Sequence, residues 1–250
     1  MTDAQDLQDR RVVITGAGRG LGRALAIVVA DRGADVVLLG RNPTALDDVA
    51  AAIASRTGRR PVTVPCDLAQ PDCIKNACDA VLAADPVVDV LINNGAPWLP
   101  GDLMSVSEAA ILATVSGAVA GTILATKGLL PGLMRSPAAD IVTIVSTSGW
   151  PGWDIGASSP FHAAKHGQSG FSDALRHELK GKGIRVMAVY PPDFDDIDPL
   201  GPGWADAPGA AARGKLTNRE VVETVLFALK SPRGCTYPVI ILDNMPARSS

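Results

Sequence analysis

The sequence predicts an α/β fold, a doubly wound seven-stranded parallel sheet with helices on both faces. Three observations predict it. Short β-branched runs alternate with helical spacings along all 250 residues, without a linker-like break. The run at residues 87–92 (VVDVLI) is near-continuously apolar, as a strand buried on both faces of a parallel sheet should be. The first strand passes through a glycine-dense turn straight into a helical pattern.

The elements follow in order. Arg11–Thr15 is a β-branched strand, and the glycine turn leads to helical spacing over residues 23–32. Residues 35–39 (DVVLL) form the second strand, closed by Gly40-Arg41-Asn42, and residues 43–55 are helical. A third strand at 61–65 and a helix at 72–84 precede the fourth strand at 87–92, which Asn93-Asn94-Gly95-Ala96 ends. Residues 109–134 supply one or two helices. The fifth strand, 141–145, ends at Ser146-Thr147-Ser148-Gly149. A helix at 161–180, a strand at 184–190, a helix at Asn218–Lys230 and a strand at 236–242 complete the pattern.

Composition narrows the partners. Apolar residues make up 47%, ample for a large core, and a net charge of −3 gives no reason to expect nucleic acid or an anionic membrane. Cys66, Cys73, Cys78 and Cys235 form no C-x-x-C pair and only three histidines are present, so the expectation is no metal site and reduced thiols in a cytoplasmic setting. The start, MTDAQDLQDRR, is polar and acidic, unlike a signal peptide. Residues 109–126 carry no charge and approach the length of a membrane span. Thr114, Ser116, Thr122 and Thr126, with Gly117 and Gly121, favour a buried soluble helix instead.

The glycine turn carries the first chemistry. Gly16, Gly20 and Gly22 follow G-x-x-x-G-x-G spacing, and with Arg19 and Leu21 they open a helix after a strand. Glycines there let backbone approach a pyrophosphate, which the positive helix N-terminus holds, so the sheet is Rossmann-like. Such turns also join strands to helices for structural reasons alone. After the second strand, an acid would bind a ribose 2′-hydroxyl, whereas a base accommodates a 2′-phosphate. The acid is missing and Arg41 is present, with Arg19 nearby, which favours NADP(H) over NAD(H) unless both are plain surface arginines. Asp67 could accept from an adenine amino group.

Taken together, Thr15-Gly16-x-x-x-Gly20-x-Gly22, Asp67-Leu68, Asn93-Asn94-Gly95, Ser146 and Lys165 make the chain resemble the short-chain dehydrogenases/reductases over nearly its full length. The resemblance implies one dinucleotide-binding and catalytic domain over residues 1–250 and a homodimer or homotetramer. It also implies a cofactor site built from Gly16, Arg19, Gly20, Leu21, Arg41, Asp67, Leu68, Asn93, Gly95, Lys165 and Pro191. In the family a tyrosine exchanges the proton of the substrate oxygen, a serine polarises that oxygen, and a lysine four residues on lowers the tyrosine pKa. Here Ser146 is the serine and Lys165 the lysine, while the tyrosine position is Phe161. Two further departures are Ala118, where the family has a helix-borne asparagine, and Pro191-Pro192, where it has Pro-Gly. The second proline removes a backbone donor.

Substrate residues are expected in the loops at the carboxyl ends of the strands. All four tryptophans fall in such loops: Trp98, Trp150, Trp153 and Trp204. With Ser148 and Phe194 they suggest a pocket for a ring-containing small molecule, although some of them could simply cover loops. Residues 191–214 form the expected substrate lid, whose Asp193, Asp195, Asp196 and Asp198 read as solvated loop or as acceptors for a polar substrate. The reading is an NADPH-dependent ketoreductase of secondary metabolism, impaired by Phe161, or a redox-inactive relative with a binding role.

Overall fold

The structure is a computed structural model that describes residues 6–152, 157–205 and 214–245. Among them, β1 (Arg11–Thr15), β2 (Asp35–Gly40), β3 (Val62–Pro65), β4 (Val90–Asn93), β5 (Asp140–Ile144), β6 (Arg185–Tyr190) and β7 (Val239–Ile241) form one sheet. Its order is β3-β2-β1-β4-β5-β6-β7, with every pair parallel. The order reverses between β1 and β4, and a ligand crevice is expected outside the carboxyl ends of these strands.

Two apolar layers cover the sheet. On one face α1 (Gly20–Asp31), α2 (Pro43–Thr57) and α8 (Asn218–Lys230) pack over Ile14, Leu38, Ile92 and Val189. On the other, α3 (Pro71–Ala84), α5 (Gly121–Leu133) and α6 (Ser159–Glu178) bury Val13, Leu39, Leu91 and Ile141. Strand residues alternate between the two layers because side chains repeat every second residue.

The structure adjusts several boundaries. The fourth strand starts at Val90, not at residue 87, because the Val87 carbonyl accepts from the Arg11 guanidinium instead of joining the ladder. The seventh starts at Val239, since Pro238 has no N–H to give. The first helix begins at Gly20, inside the glycine turn, rather than at residue 23. A short helix, α7 (Pro202–Ala205), lies within the expected lid.

The apolar run at 109–134 becomes α4 (Glu108–Val115), a π-turn (Ser116–Ala120) and α5. Together they are long and apolar enough to cross a membrane by length and composition. In the fold the α5 stretch buries Ala125, Thr126 and Leu129, whereas α4 buries only Thr114 and leaves Leu112 exposed. Burial of the whole run, expected from its sequence, therefore holds for α5 and fails for α4.

Candidate active site

The glycine turn is shaped by close backbone approach. Gly16 has φ +67, and a β-carbon there would lie 2.8 Å from Gly95 Cα. One on Gly22 would lie 2.1 Å from Gly16 O, so the turn folds back on its own helix. Thr15 Oγ1 accepts from the backbone N–H of Asn94 and Gly95, both at 3.0 Å, and Asn94 Nδ2 donates to Thr15 O. These contacts lock the end of β4 onto the end of β1. Thr15 and Asn94 are site residues that the sequence reading quoted in motifs without assigning them a task. Gly95 and Gly121 both make room for Leu68, bringing the loop after β3 to the same place.

The turn leaves α1 without a cap of its own. Arg19 at the N-cap makes no side-chain capping bond, and the first helical turn has no acid. Its first N–H groups are thus open to an anion. Arg19 and Arg41 are exposed and, as β1 and β2 pair Thr15 with Leu39, both follow the carboxyl ends of adjacent strands. Leu21 is buried beneath the turn. The Asp67 carboxylate accepts from Ala69 N at 3.0 Å, so its own loop already uses part of it. Asn93 Nδ2 donates to Thr126, whereas Asn93 Oδ1 and Thr147 Oγ1 are buried without a partner. A glycine turn with exposed arginines at its rim and buried unpartnered oxygens at the strand ends fits a phosphorylated dinucleotide.

Ser146 follows β5 with φ 152 and ψ 156, a combination almost confined to glycine. Its Oγ accepts from Ser148 N at 3.1 Å. Thr147 N donates to Pro191 O at 2.9 Å, tying this turn to the loop after β6. A β-carbon on Gly149 would meet Lys165 O at 2.7 Å, so the turn of Thr147–Gly149 lies directly on the backbone of α6. Ser148 is buried in that turn.

Helix α6 starts with Pro160 in its first turn, where a missing N–H costs nothing. Ser158 Oγ donates to Leu99 O at 2.7 Å, which holds the loop after β4 over the helix start. Trp98 consequently stands edge-on to Phe161, ring centroids 4.8 Å apart. Phe161 is buried, and Lys165 Nζ lies 5.6 Å from its ring centroid. Lys165 is buried as well, donating to Ile144 O at 3.2 Å and to Gln168 Oε1 at 2.9 Å. Gln168 Nε2 donates in turn to Thr122 Oγ1. Burial pushes the Lys165 pKa down to about 7, since both recorded acceptors are neutral oxygens. Gln168 was not legible as a site residue, because a single glutamine among helical positions carries no distinctive spacing. Ala118 lies in the π-turn of the neighbouring helix, a backbone feature common at functional sites.

The aromatic residues separate. Trp98 joins Phe161, whereas Trp150 packs edge-on to Tyr190 at 5.4 Å. Trp150 lines a groove of about 390 Å³ further along α6, with Ser169, Asp173, Arg176 and Val239. Phe194 and Trp204 pack on the core layer of α1 and α8. Trp153 lies outside the described residues.

The short chain dehydrogenase family profile matches residues 10–197. The chain is 31% identical over 246 residues to dehydrogenase/reductase SDR family member 7B of Bos taurus, covering 94% of this chain and 74% of that protein. The Mus musculus protein of the same name is 35% identical over 188 residues, 74% of this chain, but only 58% of its own length is spanned. A solved short chain dehydrogenase from Burkholderia cenocepacia J2315 in complex with NADP is 28% identical, with a TM-score of 0.80 over 96% of this chain and 99% of the other.

Proposed function

The chain belongs to the short-chain dehydrogenase family, and from that premise we propose an NADPH-dependent reductase of a ring-bearing ketone whose acid position is occupied by Phe161. The observation that carries the reading is the cluster at the end of β5: Lys165, buried, lies against the Phe161 ring and donates to Ile144 O two residues before Ser146, and the glycine turn follows the same, carboxyl end of the parallel strands. The NADP-bound Burkholderia relative supports the choice of cofactor.

Gly16, Gly20 and Leu21 would hold the pyrophosphate, Arg19 and Arg41 a 2′-phosphate, and Asp67 and Leu68 the adenine. Asn93, Gly95, Lys165 and Pro191 would surround the nicotinamide half. When bound, the reduced nicotinamide supplies a hydride. The chain's own residues then have to position the carbonyl and neutralise the alkoxide. Ser146 Oγ, which accepts from Ser148 N, would donate its own hydrogen to the substrate oxygen. Lys165, as an ammonium, would lower the pKa of a hydroxyl at position 161, and Phe161 has no proton to give. Trp98 would form one wall for the ring, beneath a lid in residues 191–205; residues 206–213 of the expected lid lie outside the described residues.

A second reading is a redox-inactive protein that binds NADP(H). It is favoured by the edge contact of the Trp98 ring on Phe161, which gives position 161 an apolar packing partner. NADPH oxidation over a panel of cyclic and aromatic ketones, by this chain and by Phe161→Tyr, separates the two. The reductase reading expects the tyrosine variant to be faster by about 10² to 10⁴. Neither form turning over, while both bind NADPH, would favour the second reading.

A further inference from the structure

The loop after β6 carries four aspartates, and three of them have an ion-pair partner. Asp193 and Asp195 both pair with Lys215, at 2.9 and 2.8 Å, and Asp198 pairs with Arg23 in α1. Asp196 is different. A β-carbon built on Gly20 would lie 2.9 Å from Asp196 Oδ2, so this carboxyl group packs against the first residue of α1. Asp196 is exposed as a residue, and the partial burial of its carboxyl group against α1 raises its pKa, opposed by the pull of Arg19 and an Asn218 hydrogen bond; Asp195 adds a further upward push.

The loop is fixed in this position. Asp195 N donates to Leu216 O, and Asn218 N donates to Asp195 O. The Asn218 side chain accepts from Ile197 N and donates to Ile197 O. The Arg23–Asp198 pair anchors the far end on α1 itself. Asp196 is thereby held over a helix start that has no capping side chain and no acid in its first turn. A phosphate approaching that helix start would meet this carboxyl group first.

We propose that Asp196 sits in the phosphate cradle of the dinucleotide site as a built-in competitor, so that NADP(H) binds only after this carboxylate is displaced. The proposal rests on the NADP(H) reading above. It makes Asp196 a determinant of cofactor affinity through like-charge repulsion with the pyrophosphate. The surrounding ion pairs decide how easily the loop yields.

Calorimetric titration of the full chain with NADPH tests it, comparing the wild type with Asp196→Asn and Asp193→Asn. Asp193→Asn removes the same charge from the same loop at a position paired with Lys215. Asp196→Asn is expected to tighten NADPH binding at least about tenfold, whereas Asp193→Asn changes it by less than about threefold. Asp196→Ser repeats the measurement with a side chain that cannot fill the cradle and should match Asp196→Asn. Unchanged or weaker binding in both Asp196 variants overturns the proposal and leaves the NADP(H) reading standing. Equal tightening by Asp193→Asn also overturns it, since net charge would then be the cause. No NADPH binding by any form at millimolar concentration removes both the proposal and the reading.

Discussion

Asp140 and Lys165 are buried charged residues at opposite ends of one strand, and they are treated differently. Asp140 opens β5 and is fully buried, yet three guanidiniums meet it. Arg185 binds both oxygens at 2.7 and 3.0 Å, Arg10 adds a contact at 2.8 Å and Arg233 another at 2.7 Å. The arginines are themselves shared out: Arg185 also donates to the carbonyls of Leu229, Ser231 and Cys235. At the far end of β5, Lys165 donates to the Ile144 carbonyl and to a neutral amide oxygen. Ser146 is strained there, and Asn93 and Thr147 each keep an unpartnered acceptor. One end of the sheet satisfies its buried polar groups, and the other leaves them available.

The largest break in this contrast should come from Asp140→Ala. It leaves three guanidiniums around an empty site, and removing one partner of a buried ionic cluster costs about 3–5 kcal/mol. Urea unfolding at pH 7 should show that loss, and a loss below about 1 kcal/mol would make the two ends equivalent. Burial works to raise the Asp140 pKa, but hydrogen bonds from Arg185 and Arg10 outweigh it and the net shift is downward from 3.8. A depressed folded-state pKa stabilises above the unfolded value. The difference between wild type and variant should therefore hold at neutral pH and shrink only as pH falls below 3.8 toward the folded value.

Lys165→Met should move stability the other way. Burial lowers the folded pKa from 10.5 to about 7, so the unfolded chain holds the proton more tightly. The wild type is then penalised at and below pH 7 and recovers as pH rises toward 10.5. Relieving that burial, less two neutral hydrogen bonds, should leave the variant about 1–2 kcal/mol more stable at pH 7. The gain should fade by pH 10, and no ketone turnover should remain in a Phe161→Tyr background. Destabilisation at pH 7 would mean that the ammonium is as well matched as Asp140.

Much of this architecture was legible in the chain. β-branched runs mark the strands because a pleated, two-sided core suits them, and the glycine turn marks the crossover where β1 meets α1. Ser146, Phe161 and Lys165 were found through the resemblance to the short-chain dehydrogenases/reductases, whose motifs fix their order and spacing. The aromatic residues were less informative. Position in a loop does not say where along a helix a ring will land: Trp98 meets the start of α6, whereas Trp150 shares a groove with Ser169 and Asp173 further along it. The aspartate run at 193–198 showed charge but not contact. Only the docking of that loop on α8 and α1 brings Asp196 to Gly20.

The smallest expected effect sharpens the comparison at a single backbone position. Ser146 sits at φ 152, ψ 156, a region where a β-carbon is crowded. Such a conformation costs of order 1–3 kcal/mol, and glycine relieves it while adding roughly 0.5–1 kcal/mol of unfolded-state entropy. Ser146→Gly also removes the Oγ that accepts from Ser148 N at 3.1 Å. The three contributions nearly cancel, so the variant should melt within about 0.5–1 kcal/mol of the wild type, on the stabilised side if strain dominates. Activity gives the other half of the test. In a Phe161→Tyr background the same substitution should cost turnover at least about tenfold, because the donor to the developing oxyanion is lost. A serine held in strain for chemistry predicts this combination of unmoved stability and lost turnover. A large loss of stability would instead make Ser146 a structural cap on the turn that follows β5.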